Sequence, residues 1–200
     1  MPDRTRRVAC ALVAALLLGT TIAPVRADDV AIAPASYAAF SVRLLWLKHV
    51  RGRFDKLYGN LDWSPQRRQG IVHAWINVTT ARMRNMHYRH MLLGPGFLSA
   101  ATYPRIHFVS APVDQRLLHQ GGDLHGRLSM HGVTQPVVFV LQPSNCMKPE
   151  TTVCILRLHG SIQRSRFGIR QHSTILSDRV QLDLVIVLAP QRGLSTGNNG

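Results

Sequence analysis

The chain has 200 residues, with 24 Lys and Arg against 10 Asp and Glu and a formal net charge of +14. That length suits a single domain with a sizeable core. Ten acids leave few candidates for general acid–base work, and no paired-carboxylate signature, Gly-rich phosphate loop or G-x-S-x-G elbow is present.

The first segment reads as an export signal. Arg4, Arg6 and Arg7 precede an uncharged apolar run from Val8 to Gly19, and Val25-Arg26-Ala27 resembles a cleavage site. The run is short for a membrane span. Cys10 lies inside it, not behind a lipobox. Cleavage after Ala27 removes 27 of 200 residues and leaves 173, with a net charge of +11 once four arginines and one aspartate are gone.

Period-two patterning then dominates. Phe40, Val42 and Leu44 alternate, as do Leu57, Gly59, Leu61 and Trp63. Val72, Ala74, Ile76 and Val78 share a face, with Ile71, His73 and Trp75 on the other. One segment departs from this: Thr80 to Leu93 carries Met83, Met86, His90 and Leu93 at helical spacing, stopped by Gly94-Pro95-Gly96. Ile106 and Phe108 resume the strand pattern. Leu124, Gly126, Leu128 and Met130 carry it to a reversal at Gly132-Val133-Thr134-Gln135-Pro136. Val138 and Val140, Leu156 and Leu158, and Val180 to Leu188 complete the set. Gly52, Gly59, Gly126 and Gly160 sit inside strand patterns, where glycine marks bulges or bends.

Cys146 and Cys154 are the two cysteines that survive cleavage. In an oxidising compartment they are expected to form a disulfide contributing about 2–3 kcal/mol. They are too few to suggest a metal site. Residues 191–200 are polar and Gly/Asn-rich, and are expected to fray.

Many evenly spaced strands suggest a barrel or a sandwich, and the strand glycines favour closure: the expectation is a mainly β fold, an antiparallel barrel of about eight strands with one short inserted helix over residues 28–190. Eight strands are just wide enough to hold a small ligand. Rival chemistries find little support. His87 and His90 lie one turn apart, but Arg84 and Arg89 beside them oppose a cation. Ser129, His131 and Asp123 share one hairpin without a nucleophile elbow. The expectation is no metal, no cofactor and no catalysis. The basic surface could meet nucleic acid or anionic lipid headgroups, and the export signal favours the second.

The chain resembles the YceI-like family, exported lipocalin-like barrels that bind polyisoprenoid and related lipids. "FSVRLLWLKHVRGRFDKLYGNLDW" resembles the family's opening hairpin, with Val50, Gly52, Phe54, Gly59 and Leu61 in place. "INVTTARM" and "MLLGPGFLSAATYPRIHFVS" are similar to the segments before and after the helix. "GRLSMHGVTQPVVF" carries the most diagnostic turn, His131-Gly132-Val133-Thr134 with Pro136. "GSIQRSRFGI" carries Arg164, Ser165, Phe167 and Gly168. These signature residues are expected to be architectural. The resemblance puts Gly132 at a hairpin tip, with Thr134 bonding back to the turn and Pro136 where no ladder donor is needed.

Three departures bear on the ligand. Where the family often has a histidine in its first strand, this chain has Leu44-Leu45-Trp46. The helix reads His87-Tyr88-Arg89-His90 in place of Arg-Asp-x-His, and Phe97 is followed by Leu98-Ser99. All three remove polar groups from the expected mouth.

The export signal implies a periplasmic or secreted protein, expected as monomer or homodimer, and the resemblance implies a lumen that holds a long isoprenoid, quinone or fatty-acyl chain. Candidate lining residues are Trp46, Phe54, Trp63, Trp75, Met83, Met86, Met91, Phe97 and Phe108. The alternatives are an exported metal- or membrane-surface-binding stress protein, and a lipid hydrolase.

Overall fold

The computed structural model describes residues 28–45 and 48–191. The signal segment, Trp46 and residues 192–200 of the tail lie outside the described residues.

Among those described, twelve strands and two helices occur. The strands are β1 (Asp28–Ile32), β2 (Tyr37–Leu44), β3 (Lys48–Phe54), β4 (Leu57–Ser64), β5 (Gln69–Asn77) and β6 (Ala81–Met83). After helix α1 (Met86–Leu93) come β7 (Arg105–Ser110) and β8 (Val113–Asp114). Helix α2 (Gln115–Gln120) is followed by β9 (Gly122–Met130), β10 (Val133–Leu141), β11 (Cys154–Gln163) and β12 (Leu176–Pro190). All pairings are antiparallel. The order β1-β4-β5-β7-β9-β10-β11-β12 closes on itself where Val30 faces Pro190, giving an eight-stranded barrel.

β12 is long enough to serve two partners. Its last residues pair with β1, and Leu176 to Val185 pair with β2, from which β3 and β6 extend the wall. The β1–β2 break is a tight turn at Pro34, which has no ladder donor. Ser36 repairs the ladder there: its buried hydroxyl accepts from Val187 N at 2.9 Å.

The reversal lies one residue earlier than expected. Met130 pairs with Val133, so the turn residues are His131 (φ 52°) and Gly132 (φ 76°). Two positive φ values in a two-residue hairpin match the right-handed strand twist. Thr134 does not bond back to the turn; its hydroxyl meets that of Ser129 across the ladder at 2.7 Å.

The expected helix from Thr80 is shorter. Val78–Thr80 forms a 3-10 turn and Ala81–Met83 pairs with β3. The helix starts only at Met86, where Asn85 accepts from His87 N and Tyr88 N. β-branched residues at 78–80 and a strong N-cap at 85 outweigh the helical spacing. The second helix, α2, has an equally clear cap: Asp114 accepts from Leu117 N, and Gly121 follows at φ 77°.

One barrel end is packed. Trp63 faces Gly70, which faces Val113; Trp63, Val113, Leu118 and Cys146 are almost fully buried. Cys146 and Cys154 form a disulfide with Cα atoms 5.1 Å apart. Ser144 ties this segment to α2 by donating to Leu118 O and, through its backbone, to His119 O. The other end carries the β2–β3 and β9–β10 turns, α1 and the segment 164–176.

Candidate functional site

Strand alternation sends one side chain in two inward, and the barrel encloses a cavity of about 350 Å³. β2 contributes Ala38, Phe40 and Val42, β5 contributes Val72, Ala74 and Ile76, and β12 contributes Val180 to Leu188 at every second residue. Apart from Tyr88, Arg164 and His172, the lining side chains are apolar. Such a wall offers an apolar chain contact without demanding polar partners.

The strand glycines explain why a space remains. A Cβ at Gly52 would lie 2.5 Å from the Phe40 ring, one at Gly126 2.4 Å from Phe108, and one at Gly160 2.7 Å from Phe139. Each glycine accepts a lumen-facing ring from the neighbouring strand, so the rings lie against the wall. Sequence reading expected bends at these positions; close approach is what the structure displays.

α1 lies at the open end. Tyr88, Met91 and Leu92, at i, i+3 and i+4, line the cavity. Leu45 and Ile175 line it as well and are 56% and 41% exposed, so they stand on its rim. Backbone pairing of Leu45 N with Ile175 O at 2.8 Å joins the two rim segments.

Arg164 fixes the rim from within. Its guanidinium, 4% exposed, donates to the carbonyls of Ser177, Ile169, Gln171 and Leu176. Burial lowers its pKa from the usual value, while the Asp178 charge works against that shift. Asp178 itself accepts from Ser165 N and Oγ at 2.8 Å. One fork thus holds the segment that delivers Ile169, His172, Ile175 and Leu176 to the cavity. His131 braces the same end. Its Nε2 is 3.1 Å from Ser99 Oγ and its Nδ1 is 3.2 Å from Phe167 O, linking three loops.

Five of the lining candidates, Phe54, Met83, Met91, Phe97 and Phe108, border the cavity. Three others do not. Trp63 packs in the closed end. Met86 is 57% exposed, because it lies two residues before Tyr88 and so on the far side of α1. Trp75 faces outward, stacked on His107 at 4.6 Å, because it alternates with the inward Ala74 and Ile76. The period-two pattern had already placed Trp75 with His73, away from Val72. The long aliphatic row of β12 and the rim residues Leu44 and Leu45 also line the cavity; alternation places them on one face but does not distinguish a cavity wall from a packed core.

The rival sites do not assemble. Ser129 bonds to Thr134, His131 to Ser99 and Phe167, and Asp123 lies at the far end of β9, opposite Val140. Among the described residues, no group of three His, Cys, Asp or Glu could hold a metal ion, and His87 and His90 stand on an exposed helix face.

Comparison with known proteins agrees with this architecture. The model of the YceI-like domain matches residues 31–188. The chain belongs to that family. Among solved structures it is similar to BcnA of Burkholderia cenocepacia, with a TM-score of 0.67, 19% identity, and coverage of 78% of this chain and 98% of that one. A polyisoprenoid binding domain from Saccharophagus degradans, implicated in plant cell wall breakdown, matches with a TM-score of 0.60 and 16% identity, covering 82% and 98%. The YCEI protein of Campylobacter jejuni matches with a TM-score of 0.59 and 21% identity, covering 73% and 87%. At these identities the likeness concerns the fold. No curated protein sequence matches the chain.

Proposed function

We propose that this YceI-like barrel holds one long apolar chain, of isoprenoid, quinone or fatty-acyl type, in its lumen and carries or sequesters it without chemical change. The observation that carries this reading is the apolar cavity, about 350 Å³, opening at one end of a closed barrel. Family membership, and the polyisoprenoid-binding description of the Saccharophagus degradans relative, point the same way. Each methylene removed from water contributes about 0.8 kcal/mol. A chain of about twenty carbons therefore retains roughly micromolar affinity or better after the cost of association.

Arg164, the buried polar residue of the lining, fits binding better than catalysis. Four of Arg164's five N–H groups are committed to carbonyls. Delivery to the periplasm, through cleavage after Ala27, completes the proposal, and the Cys146–Cys154 disulfide suits that compartment.

Native mass spectrometry of the exported protein after mild extraction tests it. The expected result is a chain starting at Asp28, two hydrogens light, carrying one lipid. Added lipid at a hundredfold excess over its dissociation constant should then stabilise the fold by about 2.7 kcal/mol. A protein that co-purifies with nothing and shows no thermal shift with isoprenoid, quinone or fatty acid would refute the reading.

A further inference from the structure

The open end of the barrel has a charge pattern that the cavity itself does not need. The segments that build it are 43–54, 78–105, 130–133 and 163–177. In these the sequence places eleven Arg and Lys and no Asp or Glu. Two acids border these segments: Asp55 pairs with Arg53 and Arg82 and so offsets part of the eleven, and Asp178 accepts from Ser165 beside Arg164. The closed end is mixed, with Asp62, Asp114, Asp123 and Glu150 among its cations.

Apolar side chains project at the centre of this basic end. Leu45, Tyr88 and Ile175 are 56%, 36% and 41% exposed, yet all three also line the cavity. Arg43, Lys48, Arg84 and Arg170, all exposed, come from the same segments. An apolar centre in a basic surround is complementary to a bilayer whose headgroups are anionic and whose acyl layer begins a few ångströms below. No helix among the described residues is long and apolar enough to cross a membrane.

We infer that the barrel docks mouth-down on an anionic bilayer, with Leu45 and Ile175 entering the headgroup layer and the basic residues around them binding lipid phosphates. This rests on the reading of the cavity as a lipid site, and it supplies the route by which a chain with negligible aqueous solubility reaches the lumen. The ligand passes from acyl layer to cavity along Leu45, Tyr88 and Ile175.

Co-sedimentation of the mature protein with vesicles tests the inference. Phosphatidylcholine vesicles with and without phosphatidylglycerol are compared at low and physiological salt. Binding should require the anionic lipid and weaken as salt rises. The triple reversal Lys48→Glu, Arg84→Glu, Arg170→Glu should weaken it by roughly tenfold or more. Reversal of Arg67, Arg116 and Lys148 at the closed end changes net charge equally and should weaken it far less. Leu45→Ser with Ile175→Ser should slow transfer of a fluorescent lipid from vesicle to protein.

Equal losses from both triple reversals would mean a net-charge effect and overturn the docking geometry. Indifference to anionic lipid would also overturn it, as would mouth variants that release a single-stranded oligonucleotide but still bind vesicles. Loading of the cavity from detergent-free aqueous probe is measured separately: loading that persists without docking sinks only this inference, while absent loading sinks the lipid-site reading.

Discussion

The ring of Phe40 packs over Gly52, its partner across the β2–β3 ladder, so closely that a Cβ there would lie 2.5 Å from Phe40 Cζ. The same Cβ would lie 2.8 Å from Met83 Cγ, and both side chains line the cavity. Any side chain at position 52 therefore pushes two lining groups into the lumen.

Gly52→Ala is expected to destabilise the fold by about 1–3 kcal/mol through overpacking, offset in part by the stiffer unfolded chain. It should also weaken binding of a long apolar chain, because the displaced ring occupies ligand space. Urea unfolding and titration with a fluorescent fatty acid measure the two effects. Unchanged binding in a folded Gly52→Ala protein would mean that Phe40 moves within the wall and the lumen does not shrink.

Two methionines on one helix separate lumen from surface. Met91 shares the cavity-facing side of α1 with Tyr88 and Leu92, while Met86 faces solvent. Met91→Glu places a carboxylate against an apolar ligand, where its dehydration opposes binding. Affinity for a soluble acyl probe should fall about tenfold or more, the equivalent of ~1.4 kcal/mol. Met86→Glu should leave it within about twofold. Equal losses from both would show that the probe binds outside the lumen.

The barrel was legible because period-two alternation repeats over strand after strand and depends only on which face is buried. Val72, Ala74 and Ile76 on β5 carry that signal without ambiguity. The hairpin at Gly132 was legible through its turn chemistry, although the positive φ of His131 was not, since residues with a Cβ adopt that region rarely even though histidine does so more often than most. The helix boundary failed where local signals conflicted: Met83 fits a helical period, yet it is held in β6 by pairing with Gly52. The lining was half legible. Facing follows from alternation, but which inward residues pack the closed end and which border the cavity depends on how far along the barrel they lie. That separates Trp63 from Phe54, and pattern within one strand does not encode it.

His107 on the outer wall is expected to make the stability of the fold fall at acidic pH. Its ring stacks on Trp75 at 4.6 Å with planes 8° apart, and the His73 ring lies 6.3 Å away. Its Nε2 is buried with no hydrogen-bond partner among the described residues. Burial, followed by the charge on His73, lowers its pKa from the usual 6.5. Asp62 lies 3.5 Å from His73 Nε2. A histidine with a lowered folded-state pKa binds its proton more readily when the chain unfolds. Stability from this site is therefore fully present above about pH 6.5. It is lost as pH falls from there through the folded-state pKa, and the loss levels off below that value. His107→Phe keeps a ring for Trp75 and removes the titration. Melting temperatures of both proteins from pH 7.5 to pH 5 should converge at the upper end in slope, with the wild-type protein falling more steeply below about pH 6.5. Parallel curves across the whole range would show that His107 is protonated in the folded barrel as easily as in the unfolded chain, and that its buried Nε2 finds a water.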